Sequence, residues 1–328
     1  MNEPKKALMS GAILAVACLG MAVPASAVPL KEIFSLGGGM FPQDHIYRVD
    51  LSANTVTDLG FGGVGFPTNL AMSPNRTLYY MNPFDGGGHN LYKATLNATN
   101  TALVGAPTFV TLLPTSGLGI IDGFTVGANG DLYMTGYGKS EIYRYDIANN
   151  VFTTEAHLIA PPAGGPAGEF RSDLAFDPIT GDLVGLGIEP GTTDRTLFQV
   201  SLADLTDGID SAVVWDYYGT PGSAWETKVL NAGSELGGDP DGLAFDPTNG
   251  DLYMTGDGTG IYAYDRVTAV RGLLIPGTGN GFLSGLGYDL AFQTRDAPIG
   301  VPEPSSLALM LAGVGALIGR VRRRCAKN

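Results

Sequence analysis

Asp241-Gly-Leu-Ala-Phe-Asp-Pro-Thr-Asn-Gly-Asp-Leu-Tyr-Met-Thr-Gly256 returns, little changed, as Asp122-Gly-Phe-Thr-Val-Gly-Ala-Asn-Gly-Asp-Leu-Tyr-Met-Thr-Gly136. A third copy starts Ser172-Asp-Leu-Ala-Phe-Asp-Pro-Ile-Thr-Gly-Asp-Leu183 and a weaker one Thr68-Asn-Leu-Ala-Met-Ser-Pro-Asn-Arg-Thr-Leu78. Tyr288-Asp-Leu-Ala-Phe292 closes the series. The equivalent apolar residues Leu70, Phe124, Leu174, Leu243 and Leu290 lie 54, 50, 69 and 47 positions apart. A period near 50 is the mark of a repeat architecture. Within a unit, Leu-Ala-Phe reads as a short buried strand. Asp-Pro-x-x-Gly-Asp reads as a turn, with Pro presetting φ and Gly taking the positive-φ position. Leu-Tyr-Met-Thr-Gly is the returning strand.

About ten residues on, Ile142-Tyr-Arg-Tyr-Asp146 and Ile261-Tyr-Ala-Tyr-Asp265 supply a third strand, echoed by Leu91–Thr95 and Leu197–Ser201. The alternation in the Ile261 copy suits a half-buried strand. A variable run such as Val270–Ile275 makes a fourth. Four strands per repeat is the pattern of a β-propeller blade. The last copy stops after its first strand, near Thr294, and the chain begins with what that blade lacks: Lys31–Leu36, His45–Asp50 and Thr55–Leu59. One strand from the end and three from the beginning would complete a shared blade and remove two sheet edges. The expected fold is therefore all-β: one propeller of five blades over residues 28–296. The 69-residue interval leaves room for an extra hairpin around Val213–Tyr218, which makes six blades the alternative.

Composition agrees with a turn-dense β protein. Gly is 48 of 328 residues, without a Gly-X-Y period, and 44% of residues are hydrophobic. The net charge of −13 is unevenly placed. Seven of the 19 basic and two of the 32 acidic residues lie in the end segments, which leaves the middle near −18. Such a domain repels phosphate backbones, which excludes nucleic acid as a partner. Both cysteines, Cys18 and Cys325, sit in the ends, so the middle offers no disulfide, thiolate nucleophile or Cys-ligated metal.

Lys5 and Lys6 precede an apolar run from Ala7 to Val23, and Pro24-Ala25-Ser26-Ala27 follows. This is the plan of a secretory signal peptide, residues 1–27, with small residues Ala25 and Ala27 setting the cut after Ala27 and export running through the Sec machinery. A lipoprotein reading at Cys18 fits less well, because it shortens the apolar run. At the other end Val301-Pro302-Glu303-Pro304 closes a linker over 297–304. Residues 305–319 then run without a charge, and Arg320, Arg322, Arg323 and Arg324 lead a basic tail over 320–328. A helix over 305–319 would be about 22 Å long at ~1.5 Å per residue, short against the ~30 Å hydrocarbon core but able to span it by snorkelling and local thinning. The basic cluster marks the cytoplasmic side, so the bulk of the chain faces outward.

This three-part tail resembles the PEP-CTERM sorting signal of Gram-negative bacteria that make exopolysaccharide. Pro302-Glu303-Pro304 matches its name-giving motif, and the Leu/Ala/Gly-rich helix and Arg320–Arg324 match the rest. The resemblance implies an exosortase as partner, a membrane-embedded cysteine transpeptidase-like enzyme that cuts near the motif. It further implies transient anchoring in the inner membrane, then an envelope or extracellular location. The same tail follows many unrelated domains and says nothing of the repeats.

Catalytic patterns are few. No P-loop, Gly-x-Ser-x-Gly or His-Glu-x-x-His occurs. Gly256–Gly260 is a glycine-rich turn between strands, and His45, His89 and His157 fall in dissimilar places and read as surface or structural. One constellation stands out: Asn69, Asp122, Asp173, Asp241 and Asp289 open the successive inner strands. In a propeller those strands line the central channel, so the five groups would ring one mouth and could bind a ligand. Their oxygens suit Ca²⁺ among cations, with the identity of any metal left open. The alternative is that each caps a turn. Asp122 and Asp241 stand two positions before the reference apolar residue and the others one, which leaves the register open. The Asp177–Asp182 and Asp246–Asp251 turns lack the spaced ligands of an EF-hand and read as hairpins. Trp215, Tyr217, Tyr218 and Trp225 form an aromatic patch suited to packing, or to stacking on sugars or proteins. The function expected is a non-enzymatic binding platform; that it contacts exopolysaccharide or surface proteins is what the resemblance of the tail implies. The alternative is a propeller hydrolase or lyase acting on polysaccharide or lactone through the channel-mouth carboxylates.

Overall fold

A computed structural model describes residues 32–37, 45–61, 69–73, 75–82, 89–113, 119, 121–136, 138–159, 169–188, 195–205, 211–214, 216–219, 223–225, 240–256, 260–276 and 286–292. The signal peptide, the Pro302-Glu303-Pro304 linker, the 305–319 helix and the basic tail lie outside the described residues. Lys31–Asp296 forms one compact unit.

The strands assemble into five sheets, one per repeat. Blade 1 holds β4 (Asn69–Met72), β5 (Thr77–Asn82), β6 (His89–Thr95) and β7 (Thr108–Leu113). Blade 2 holds β8 (Ile121–Val126), β9 (Leu132–Gly136), β10 (Glu141–Asp146) and β11 (Val151–Ile159). Blade 3 holds β12 (Glu169–Phe176), β13 (Asp182–Ile188), β14 (Arg195–Ser201) and the two-residue β16 (Asp216–Tyr217). Blade 4 holds β17 (Pro240–Phe245), β18 (Leu252–Gly256), β19 (Gly260–Tyr264) and β20 (Arg271–Pro276). Blade 5 is shared: β21 (Leu286–Phe292) pairs with β1 (Glu32–Gly37), followed by β2 (His45–Asp50) and β3 (Thr55–Phe61). The split blade expected from the two chain ends is present, with Ser35 opposite Leu290.

Burial follows position in the blade. The inner β4 and second strand β9 are buried throughout, the third strands β2 and β10 alternate, and the outer β7 is largely open. Inner strands contact one another in the order β4, β8, β12, β17, β21 and back to β4. Among the described residues the core divides the same way, into five apolar clusters that each join two neighbouring blades. Met81 and Leu91 of blade 1 meet Phe124 and Met134 of blade 2. Tyr133 and Ile142 of blade 2 meet Leu174 and Phe198 of blade 3. Leu186 and Leu197 of blade 3 meet Leu243 and Met254 of blade 4. Tyr253 and Ile261 of blade 4 meet Ile33 and Val49 of blade 5. Phe34 and Ile46 of blade 5 meet Leu70 and Tyr80 of blade 1. A closed five-bladed propeller is the only arrangement in which every blade has two such neighbours.

The sixth-blade alternative is thereby corrected. Among the described residues the long repeat builds no extra hairpin. Ser211–Val214 (β15) leaves blade 3 and pairs in parallel with Ala156–Ile159 of β11, becoming a fifth strand on blade 2. The chain then returns as β16 to finish its own blade. Tyr218 and Trp225 pack edge to face at 5.4 Å inside the blade 3–blade 4 cluster, and Trp225 Nε1 donates to Arg266 O at 2.7 Å. Packing is thus what this pair does; Trp215 and the Tyr217 side chain lie outside the description.

The repeat turns form as their composition requires. Asp177 N donates to Asp182 O at 2.9 Å and Asp246 N to Asp251 O at 2.9 Å, closing both hairpins. Gly181 and Gly250 sit at φ +83° and +75°. The Asp177 and Asp246 carboxylates accept the N–H of Ile179 and Thr248 within the same turns.

Candidate functional site

Asn69, Asp122, Asp173, Asp241 and Asp289 all lie on inner strands, one per blade, on β4, β8, β12, β17 and β21. The pairing registers explain the offset among them. In β8 the ladder slips between Ile121 and Gly123, and in β17 between Pro240 and Gly242, so Asp122 and Asp241 are the extra residues of equivalent β-bulges. In β12 the slip falls between Phe170 and Leu174 and takes in Asp173. In β4 the ladder runs unbroken from Asn69, opposite Met81. The strand starts lie at the end of the disc opposite the Asp-Pro-x-x-Gly-Asp turns.

Asp173 is 1% exposed, and its carboxylate faces backbone on three strands. Oδ1 accepts Leu174 N–H at 2.7 Å and Phe124 N–H at 3.4 Å, and Oδ2 accepts Leu243 N–H at 2.7 Å. Phe124, Leu174 and Leu243 are repeat equivalents, so one carboxylate ties the same level of blades 2, 3 and 4. Backbone comes close enough for this because the flanking strands carry Gly. A Cβ on Gly123 would stand 2.9 Å from both Leu174 N and Leu174 Cβ, and 2.5 Å from Thr135 Oγ1. Asn69 is likewise buried. The side chains of Asp122, Asp241 and Asp289 lie outside the description. Among the described residues no group of three His, Cys, Asp or Glu is placed to hold a metal ion.

Buried charge recurs elsewhere, and sequence reading missed it. Glu32 at the start of β1 receives Arg48 from β2, and its repeat equivalent Asp131 receives Arg144 from β10 at 2.7 Å. Glu32 Oε2 also accepts Asn100 Nδ2 at 2.7 Å, which ties the shared blade to blade 1. Arg266 of blade 4 meets the fully buried Asp177 of blade 3 at 2.7 Å. Burial, then the nearby Asp177 charge, drives the Tyr218 phenol far above its ordinary pKa. The Asp closing each third-strand motif has a role too. Asp50, Asp146 and Asp265 accept N–H groups of the following turn. The bonds from Asn149 hold the Asp146 carboxyl below its usual value, and those from Thr268 do the same for Asp265. The repeated Asp was the available signal. Of the histidines, His45 pairs with Asp58 at 2.8 Å and buried His89 donates Nε2–H to Gly119 O at 2.6 Å; the His157 side chain lies outside the description.

Comparison with known families decides the destination of the chain. Residues 300–324 carry the PEP-CTERM protein-sorting motif. The motif marks an exported, cell-envelope-associated protein processed by an exosortase. Residues 35–160, from β1 through blade 2, match the family described as SMP-30/Gluconolactonase/LRE-like region. No curated protein is significantly similar in sequence. Solved structures with some similarity include TolB from Acinetobacter baumannii, at 13% identity and TM-score 0.41 over 75% of this chain and 53% of that one. They also include a protein from Lactobacillus plantarum, at 12% and 0.44 over 80% and 99%. A putative 6-phosphogluconolactonase from Bacteroides fragilis is similar at 10% and 0.42 over 82% and 99%. The chain thus spans about half the length of TolB.

Proposed function

We propose that the propeller is a non-enzymatic binding platform of the envelope or extracellular matrix. The Sec machinery exports it with cleavage after Ala27. The 305–319 helix and Arg320, Arg322, Arg323 and Arg324 halt it in the inner membrane until the exosortase acts near Pro302-Glu303-Pro304. Its contacts are exopolysaccharide or other surface proteins. The observation that carries the non-enzymatic reading is Asp173, the one site carboxylate with its contacts described: both oxygens accept backbone N–H groups, which suits a structural tie and not a proton donor or nucleophile. The mouth formed by the inner-strand starts is the proposed contact face. There Asn69, Asp122, Asp241 and Asp289 open the inner strands around the contact face while Asp173 ties their backbones together, with Ca²⁺ the cation that hard oxygen donors would take.

The match over 35–160 favours a second reading, a hydrolase or lyase acting on a lactone or polysaccharide with the same carboxylates as acid, base or Ca²⁺ ligands. One experiment separates them. Purified protein is titrated calorimetrically with exopolysaccharide from the producing cells, and hydrolysis of gluconolactone and of the polymer is followed with and without Ca²⁺. Saturable binding without turnover is expected. Turnover that Asp122→Asn with Asp241→Asn removes would replace the platform with the enzyme.

A further inference from the structure

Among the described residues each inner strand is the end member of its sheet. One of its edges pairs with the second strand, and the other faces the axis of the ring. Backbone N–H groups on that inner edge need an acceptor, because a buried donor left unpaired is costly. The repeat sets such groups at one level in successive blades, and three of them share a destination. Phe124 N–H of blade 2, Leu174 N–H of blade 3 and Leu243 N–H of blade 4 all end on the Asp173 carboxylate, at 3.4, 2.7 and 2.7 Å. The sequence makes room for this. The residue before the reference apolar position is Gly123 in blade 2, Asp173 in blade 3 and Gly242 in blade 4. The bulges in β8 and β17 produce that alternation: they set Asp122 and Asp241 one step back along the strand and bring Gly into line with Asp173. A Cβ at Gly123 would stand 2.9 Å from Leu174 N, on one of the donors. The site is closed as well as built, since Asp173 is 1% exposed.

Convergent backbone N–H donors in a dry setting are the arrangement that holds a carboxylate or an oxyanion. We propose that these three form a carboxylate-binding site near the axis of the ring, and that Asp173 is its built-in ligand. Charge explains why the ligand is built in. The middle of the chain is near −18 and repels a free anion. A carboxylate carried on the strand itself arrives at high effective concentration whatever the solution holds. The donors belong to blades 2 and 4 as much as to blade 3, so filling the site sets the spacing of three inner strands. The same donors are thereby closed to any anionic group of a ligand at the mouth, whether that ligand is only bound or turned over.

Thermal unfolding of Asp173→Ala in sodium formate tests this. Loss of the carboxylate orphans three buried donors, and the midpoint is expected to fall by roughly 10 °C. Formate supplies the same group without a tether and is expected to restore most of that loss along a saturating curve. Pivalate carries the same charge on a body too large for the space, and is expected to do no more for the variant than for the parent. The parent, its site full, responds alike to both salts. In NMR spectra of the variant, formate is expected to move the amide proton signals of Phe124, Leu174 and Leu243 together. If the variant does not fold alone, its yield on refolding from urea in the two salts is the readout, with formate again the effective one. Asp173→Asn turns an NH₂ toward these donors; it is expected to lose stability and to gain nothing from formate. Rescue by pivalate as strong as by formate, no saturable effect of formate, formate that leaves the three amides unmoved, or Asp173→Asn as stable as the parent would each overturn the proposal.

Discussion

Arg266 of blade 4 lays its guanidinium against both carboxylate oxygens of Asp177 in blade 3, at 2.9 and 2.7 Å, and Asp177 has no exposure to solvent. A turn residue of one repeat is thereby neutralised by the next. Removing the cation leaves a buried anion unpaired. Arg266→Met is expected to cost about 3 kcal/mol, the lower end for a broken buried pair because Arg266 is itself partly exposed. Removing both charges costs less. Urea unfolding of Arg266→Met, Asp177→Leu and the double variant measures this, with the double variant more stable than Arg266→Met alone.

At Gly123 the inner strands of blades 2 and 3 lie close together. The Cβ of Gly123→Ala would press on backbone and on Leu174 Cβ at 2.9 Å, neither of which can swing aside. Overpacking of this kind costs ~1–3 kcal/mol, and the thermal midpoint is expected to fall by several degrees. Gly272→Ala, where nothing lies within 4 Å, is the control and is expected to leave the midpoint close to the parent's.

The turn carboxylates set an acid limit. Asp146 and Asp265 have lowered pKa values because side-chain and backbone groups of Asn149 and Thr268 hydrogen-bond the charged form. A carboxyl lowered on folding stabilises above its unfolded pKa of about 3.9 and loses that contribution as pH falls through the folded value. Melting temperature is therefore expected to drop below about pH 4. The Asp146→Asn/Asp265→Asn variant should start lower at neutral pH and show a shallower acid decline in scanning calorimetry.

Processing has its own readout. Intact mass of envelope-derived protein is expected to lack residues 1–27 and the segment beyond the Pro302-Glu303-Pro304 motif. Pro302→Ala with Glu303→Gln should retain the C-terminal segment and stay with the inner membrane. A parent protein that keeps its tail would remove the exosortase step.

The ring was legible because each repeat repeats its chemistry. Leu-Ala-Phe marks an inner strand wherever it occurs, and the orphan Tyr288–Phe292 with His45–Asp50 announced a shared blade. The third-strand Asp residues were visible as a pattern, and their capping bonds follow from it. The exchange of β15 onto blade 2 was not legible: Ser211–Val214 is a short apolar run, and its partner edge becomes available only in the assembled ring. The Arg266–Asp177 and Glu32–Asn100 contacts bring together residues 89 and 68 positions apart for the same reason. At the site, the sequence placed all five residues on inner strands. It could not show that Asp173 would be tied into the backbone of its neighbours, since that depends on how closely Gly123 lets the strands approach.

Closure of the ring by β1 and β21 underlies everything proposed for the platform, and it can be measured directly. The unit 31–296 contains no cysteine, so Ser35→Cys with Leu290→Cys introduces a single thiol pair at directly opposed positions. Mild oxidation is expected to give a monomeric crosslink, visible as faster migration on non-reducing gels, and a raised melting temperature from closing a loop of about 250 residues. Thiols that stay free, or that crosslink only between molecules, would contradict the shared blade.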